Sequence, residues 1–376
     1  MKILFIDFNL PYLLQDASYP VGGWAVELHA WIRGLRANDH EVGVLTWKGA
    51  NKQLAGQKTD FELIEAYDPA RGLRVIKYFY DYIPALNKCA ASFGPDVVIQ
   101  ACAEIYTGMM SFVAGRLNVP FIYRVANDME TDGRYKHVIP KHAQISYRYG
   151  LKRAAAVLCQ NAYQQDRIRK QFPGKFTAVI PNPLFKPGDT PPVAYEDRRY
   201  IAWLGVFKTQ KNLPLLYDIA RKMPHREFKI AGMPGRKIDD NIADALKNLE
   251  NLPNVEFVGY LSRDRVYPFL SRAGALLNTS HYEGFSNSFL EALSVGTPVV
   301  APEHADPDHV IRRNGLGLTA SAEAGFPQCI NSLFEDKSLF NDISGKCRTY
   351  VDEHHEPAIL ARRLVDLVQQ VKDERR

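Results

Sequence analysis

Short apolar runs of strand length alternate with segments of helical periodicity along this chain, and that alternation leaves few folds open to it. "KILFIDF" (2–8) reads as a buried strand. "WAVELHAWIRGLRANDH" (24–40) carries Ala25, Leu28, Ile32 and Leu35 at helical spacing, and "EVGVLTW" (41–47) reads as the next strand. Such a βαβ unit packs as parallel strands with a right-handed crossover. Further strands read at 96–102, 121–127, 156–161 and 176–182, with helices at 107–118 and 162–172. The stretch 181–199 breaks the pattern with five prolines and little apolar periodicity, and it reads as a linker. Afterwards strands at 200–205, 227–232, 255–260, 274–280 and 297–302 alternate with helices at 212–222, 239–249, 263–272 and 286–295. An amphipathic helix closes the chain at 357–376. A length of 376 residues exceeds one ordinary core. The expectation is an α/β protein of two Rossmann-like, doubly wound domains, 1–183 and 184–356, with the last helix packing back on the first.

Composition narrows the classes. A net charge of +5 without a long Lys/Arg block gives no nucleic-acid signal. No segment approaches the roughly 18 consecutive apolar residues of a membrane span. Five scattered cysteines without a CxxC pair read as reduced thiols. A cytoplasmic protein is expected. The basic and aromatic stretch 133–154 reads as a solvated helix face or as a peripheral contact with an anionic membrane.

The chemistry concentrates in "HYEGFSNSFLEALSVGTPVVAP" (281–302). The preceding apolar run ends at a strand's carboxyl end, where open α/β sheets bind ligands. Gly284, Phe285, Ser286, Asn287 and Ser288 would form the turn into a helix, with Ser286 or Asn287 as its cap. The first backbone N–H groups of such a helix suit a phosphate. Glu283 stands in the loop and Glu291 on the helix. Carboxylates beside a phosphate site make sense as acceptors from sugar hydroxyls.

This segment resembles the E-x7-E signature of the retaining GT-B glycosyltransferases, in particular the large family 4, or group 1. The resemblance implies two Rossmann-like domains facing a central cleft. It implies Glu283 near the donor sugar's hydroxyls, Glu291 on the nucleotide's ribose, and the 284–288 backbone on the diphosphate. "WLGVFKTQKN" (203–212) resembles the family's G-R-x-x-x-x-K stretch, with Gly205 as the glycine and Lys211 as the lysine that neutralises the leaving group. Val206 replaces the usual arginine, and Lys208 is the candidate to supply its charge. Gly232 in "IAGMPGR" (230–236) resembles the loop near the base, and "VIPNP" (179–183) the interdomain I-P-N-G. Gly22 and Gly23 in "YPVGGWAVEL" (19–28) resemble the N-terminal Gly-Gly loop. Asn127 and Asp128 fall where the family often has His-Asp, which makes Asp128 a candidate at the reacting centre.

The implied activity is retaining transfer from a nucleotide-diphosphate sugar, without metal or cofactor, to a hydroxyl of a sugar, glycolipid or glycan. The setting would be polysaccharide or glycoconjugate synthesis. Two rivals stand beside it: a nucleotide-sugar epimerase of the same architecture, and an inactive sugar-nucleotide binder, which Asn127 and Val206 keep open. "EHADPDH" (303–309) reads as a polar loop rather than a metal cluster. "NGLGLTA" (314–320) does not open a helix and so fails as a dinucleotide fingerprint.

Overall fold

The computed structural model describes residues 1–15, 21–54, 59–71, 76–186, 188, 190–235 and 239–374. The chain divides into two compact units. One runs through Phe185 and recovers Glu356–Arg376; the other is formed by Lys186–His355.

The first unit holds seven parallel strands: β1 (Lys2–Ile6), β2 (Glu41–Trp47), β3 (Glu62–Tyr67), β4 (Val97–Ala101), β5 (Phe121–Arg124), β6 (Ala156–Cys159) and β7 (Thr177–Val179). Their order in the sheet is β3-β2-β1-β4-β5-β6-β7. Successive side chains of a strand point to opposite faces. In β1, Ile3 and Phe5 join a core with Leu28, Trp31 and Leu364, while Leu4 and Ile6 join another with Leu86, Met110 and Tyr147. Helices cover both faces, so the strands read as unbroken apolar runs. The Pro357–Asp373 helix contributes Leu360, Leu364, Leu367 and Val371 to the core that also holds the Gly23–Ala37 helix.

β5 ends in Arg124, which is 1% exposed. Its Nε donates to Glu27 Oε1 at 2.9 Å, its Nη1 to the carbonyls of Cys159 (3.1 Å) and Ile180 (2.7 Å), and its Nη2 to Asn182 Oδ1 at 2.7 Å. A buried charge persists where it is paired and hydrogen-bonded in this way.

The second unit holds six parallel strands: β8 (Tyr200–Leu204), β9 (Glu227–Ala231), β10 (Val255–Gly259), β11 (Ala273–Leu277), β12 (Val299–Pro302) and β13 (Gly317–Ala320). Their order is β10-β9-β8-β11-β12-β13. β3 and β13, which the apolar pattern does not reveal, are edge strands. In the stretch 181–199, Pro187 and Asp189 lie outside the described residues. Its end is anchored: buried Arg198 donates from Nη1 to the Ala273 carbonyl (3.1 Å) and Thr297 Oγ1 (2.7 Å), and from Nη2 to the Val295 carbonyl (3.0 Å). Strand order reverses between β1 and β4 in one sheet and between β8 and β11 in the other. Ligands of open α/β sheets bind beyond the carboxyl ends of the strands at such switch points.

Candidate functional site

At the switch point of the second unit, the loop after β8 is zipped onto the loop after β11. The Trp203 indole N–H donates to Thr279 Oγ1 at 3.1 Å, and that hydroxyl donates to the Lys211 carbonyl at 2.7 Å. The His281 N–H donates to the Gln210 carbonyl at 2.9 Å, and Gln210 Nε2 to the Tyr282 carbonyl at 2.9 Å. A single turn over Thr209–Lys211 then aims the Lys211 stem, and Lys211 Nζ meets Glu283 Oε1 at 2.6 Å. The two side chains are 13% and 7% exposed. Glu283 Oε1 also accepts from Ser280 Oγ at 2.6 Å and from Asn278 Nδ2 at 3.4 Å. Burial alone would raise the Glu283 pKa; Lys211, Ser280 and Lys208 outweigh it and hold the carboxyl below its ordinary value. It is an anion at neutral pH and only accepts hydrogen bonds.

Lys208 stands three residues before Lys211, within electrostatic reach of both members of the pair. The protein around its ammonium, and then the nearby Lys211 charge, lower its pKa. No ion-pair or hydrogen-bond partner for it exists among the described residues. Thr209, between the two lysines, donates from its hydroxyl to the Asp239 carboxylate at the mouth. Gly232 borders it: φ is +150°, and a Cβ there would stand 1.9 Å from the Gly205 carbonyl oxygen, so only glycine fits. The neighbouring Arg236 of the 230–236 stretch lies outside the described residues.

The turn 284–288 leads into the Asn287–Ser294 helix, with Ser286 at the N-cap. The expected side-chain cap is not made. Ser286 Oγ bonds Ser288 Oγ at 2.8 Å instead, two neighbouring hydroxyls satisfying each other. Phe285 is 8% exposed and anchors the turn against Phe289, ring centres 6.4 Å apart. Glu291 lies on the second turn of this helix with its side chain 4% exposed, paired to Arg263 Nη1 at 2.5 Å.

In the first unit, Asp128 Oδ1 accepts from Gln164 Nε2 at 2.8 Å and Asn161 Nδ2 at 3.2 Å. Burial pushes its pKa up to about 6 against those two bonds. Asn127 is spent locally: its Oδ1 accepts the Met129 N–H at 3.1 Å. Gly22 is the N-cap of the Gly23–Ala37 helix, at φ −67°. Neither its backbone nor a crowding neighbour demands glycine, since the nearest atom to an added Cβ is 4.0 Å away. Tyr19 and Pro20 of the same stretch lie outside the described residues.

The family "Glycosyl transferases group 1" matches residues 190–348, and "Glycosyl transferase 4-like domain" matches residues 22–183. The chain belongs to the group 1 glycosyltransferases. Over 335 residues it is 20% identical to an uncharacterized glycosyltransferase of Methanocaldococcus jannaschii, covering 85% of this chain and 84% of that one. A stretch of 122 residues is 26% identical to Glycosyltransferase 1 domain-containing protein 1 of Xenopus tropicalis, spanning 32% of this chain and 35% of that protein. Among solved structures, a TarM variant of S. aureus in complex with fondaparinux, alpha-GlcNAc-glycerol and UDP aligns with TM-score 0.74 at 13% identity, covering 98% and 99% of the two chains. The fold is GT-B.

In this glycosyltransferase, then, Lys211, Glu283, Lys208, Gly205 and Gly232 gather around one switch point. Asp128, Gly22 and Gly23 belong to the other unit. The polar loop 303–309 is structural: Asp306 accepts the backbone N–H groups of Ile311 (2.8 Å) and Arg312 (3.2 Å). Sequence reading misses Arg263, an arginine at a helix start like any surface arginine. It also misses Asp7 and Glu104, which follow β1 and β4 at the first unit's switch point. Burial pushes them up to about 6 and about 7, and Asp7 adds to the rise at Glu104.

Proposed function

We propose that the enzyme is a retaining glycosyltransferase that uses a nucleotide-diphosphate sugar. The observation that carries this reading is the Lys211–Glu283 pair at 2.6 Å beyond the ends of β8 and β11. In this reading the diphosphate lies against the 284–288 backbone, Lys211 and Lys208, Glu291 accepts from the pentose, and Glu283 accepts from the hexose. As the bond from the anomeric carbon to the phosphate oxygen breaks, the electron pair leaves with the diphosphate. The two lysines and the backbone N–H groups stabilise that charge as it develops, with no metal required. The acceptor hydroxyl oxygen bonds to the anomeric carbon on the face the phosphate leaves, and its proton passes to the departing phosphate oxygen.

The setting we propose is glycoconjugate or polysaccharide synthesis in the cytoplasm, where five free thiols are at home. A peripheral contact with anionic lipid fits the stretch 133–154, which contains no Asp or Glu. Its exposed residues are Lys136, His137, Val138, Pro140, Lys141, His142, Ile145, Arg148, Tyr149, Lys152 and Arg153, all basic or apolar. A glycolipid acceptor would meet the enzyme there.

The test is a thermal-shift screen against UDP-, GDP- and ADP-sugars, since ligands of the folded state raise its melting point. UDP-sugars come first, because UDP occupies the TarM complex. Binders are then incubated with and without acceptor mixtures. Acceptor-dependent release of nucleoside diphosphate, with the product's anomeric configuration matching the donor's, supports the reading. A changed sugar with its nucleotide intact reveals an epimerase, binding without turnover reveals a carrier, and either overturns it.

A further inference from the structure

We infer that Asn278 and Ser280 are positioning residues for donor recognition: together they set which oxygen of Glu283 is turned toward the hexose. The inference rests on the assignment of Glu283 to the hexose. Asn278 follows the last residue of β11, and its N–H donates to the Val300 carbonyl of β12 at 2.8 Å. From there the chain alternates. Thr279 and His281 bond to the loop after β8, while Asn278 and Ser280 turn to Glu283. Asn278 and Ser280 are 6% and 0% exposed.

These bonds run in one direction. The Ser280 N–H can only donate, and it meets Asn278 Oδ1 at 3.0 Å, so Asn278 presents its NH2 on the other side. That Nδ2 donates to Ser280 Oγ at 3.2 Å and to Glu283 Oε1 at 3.4 Å. A serine hydroxyl has a single proton. With an Asn278 proton arriving at Oγ, the serine's own proton is directed to Glu283 Oε1, 2.6 Å away. Lys211 Nζ reaches the same oxygen from the loop after β8. Oε1 thus collects donors from two loops, and the carboxylate is held against rotation. Glu283 Oε2 accepts no hydrogen bond among the described residues and is absent from their sealed, unpartnered polar atoms, so it is the oxygen that reaches solvent. A hexose hydroxyl then meets an acceptor oriented before the donor arrives, and binding spends nothing on ordering it. Without the Ser280 hydroxyl, the carboxylate keeps Lys211 and the long bond to Asn278, and it turns more freely. Asn278 and Ser280 act through Glu283, which separates their effect on the hexose from any effect on the nucleotide.

The experiment is calorimetric titration of UDP-glucose and of UDP, or of the sugar nucleotide that the thermal-shift screen selects and its nucleoside diphosphate. The quantity read is the ratio of the two dissociation constants, which isolates the hexose. Glu283→Gln shifts that ratio against the sugar nucleotide. Ser280→Ala shifts it the same way: the sugar nucleotide binds about three- to tenfold more weakly, the worth of one hydrogen bond, and the nucleoside diphosphate stays within about twofold. Asn278→Asp, which keeps an acceptor for the Ser280 N–H and loses the donor, moves the ratio in the same direction. In the Glu283→Gln background Ser280→Ala adds nothing further, since residues that act as one unit lose their effects together. If Ser280→Ala weakens both ligands equally, weakens neither, or adds its full loss to that of Glu283→Gln, the inference falls and the hexose assignment stands. If Glu283→Gln leaves the ratio unchanged, the assignment itself fails and takes the inference with it. Should Ser280→Ala not fold, Ser280→Cys keeps the side chain's shape with only a weak donor and is read by the same ratio.

Discussion

Replacing Lys211 by methionine removes the principal counter-charge of a buried carboxylate. Glu283, 7% exposed, keeps its hydroxyl and amide donors and the more distant Lys208. Removing one partner of a buried pair costs about 3–5 kcal/mol, and the remaining donors favour the lower value. At about 2–4 °C per kcal/mol for a unit of this size, about 3 kcal/mol lowers the melting transition by about 6–12 °C at pH 7.5. The sign of the pH effect follows from burial. In the unaltered enzyme the Glu283 pKa is lowered, so its contribution is present above the ordinary carboxyl value and is lost as pH falls through the folded-state value. In Lys211→Met desolvation wins, the pKa rises, and protonation relieves the penalty as pH is lowered toward 5. The deficit against the unaltered enzyme therefore shrinks from pH 7.5 to pH 5. Lys211→Met combined with Glu283→Gln replaces the pair by uncharged groups of similar size and regains most of the loss, without regaining transfer. Thermal melts of the four proteins at both pH values check this. Equal deficits at both pH values, or a double variant that melts at the sum of the single losses, would refute the coupling.

Gln164→Leu takes the shorter of two donors from Asp128, whose pKa is already about 6, and so moves it further up. If Asp128 works as an anion, the acid limb of the turnover profile shifts upward by about one pH unit, the scale of a hydrogen bond to a charge; an unmoved limb argues that Asp128 does not titrate in turnover. Gly232→Ala forces a Cβ against the Gly205 carbonyl at φ +150°, and should weaken donor binding and lower the melting point together, as calorimetric titration beside a melt would show. The 133–154 face should carry the enzyme onto vesicles containing anionic phosphatidylglycerol and not onto pure phosphatidylcholine in a sedimentation assay. Reversing Lys141, Arg148 and Lys152 to glutamate should abolish that binding, and equal binding to both vesicle types would count against lipid contact.

The two-unit α/β architecture is legible because both faces of each central strand are covered, so β1, β4 and β11 appear as continuous apolar runs. Two of the four edge strands escape that logic. β3, "ELIEAY", places Glu62 and Glu65 on a strand with neighbours on one side only, and β13, "GLTA", is short and mixed. In the site, the spacing of Glu283 and Glu291 is visible, but their partners are not. Lys211 is marked by its place after Gly205, but its pairing with Glu283 is not visible until the turn at 209–211 aims it there. Ser286 has the composition of a cap, yet Ser288 competes for its hydroxyl at closer range. Arg263, Gln164 and Asn161 acquire meaning only when helices distant along the chain pack side by side. Their residue types alone describe ordinary surfaces.

The Pro357–Asp373 helix gives the first unit a discontinuous origin. A ribosome delivers all seven strands of that sheet, then the whole of the other unit, before the final helix emerges to cover Leu28 and Trp31. The second unit, contiguous from Lys186 to His355, can complete itself first during synthesis. A stop codon shortly before position 357 would thus spare the half that carries Lys211 and Glu283, and leave the half made earliest with its apolar flank open to chaperones and proteases.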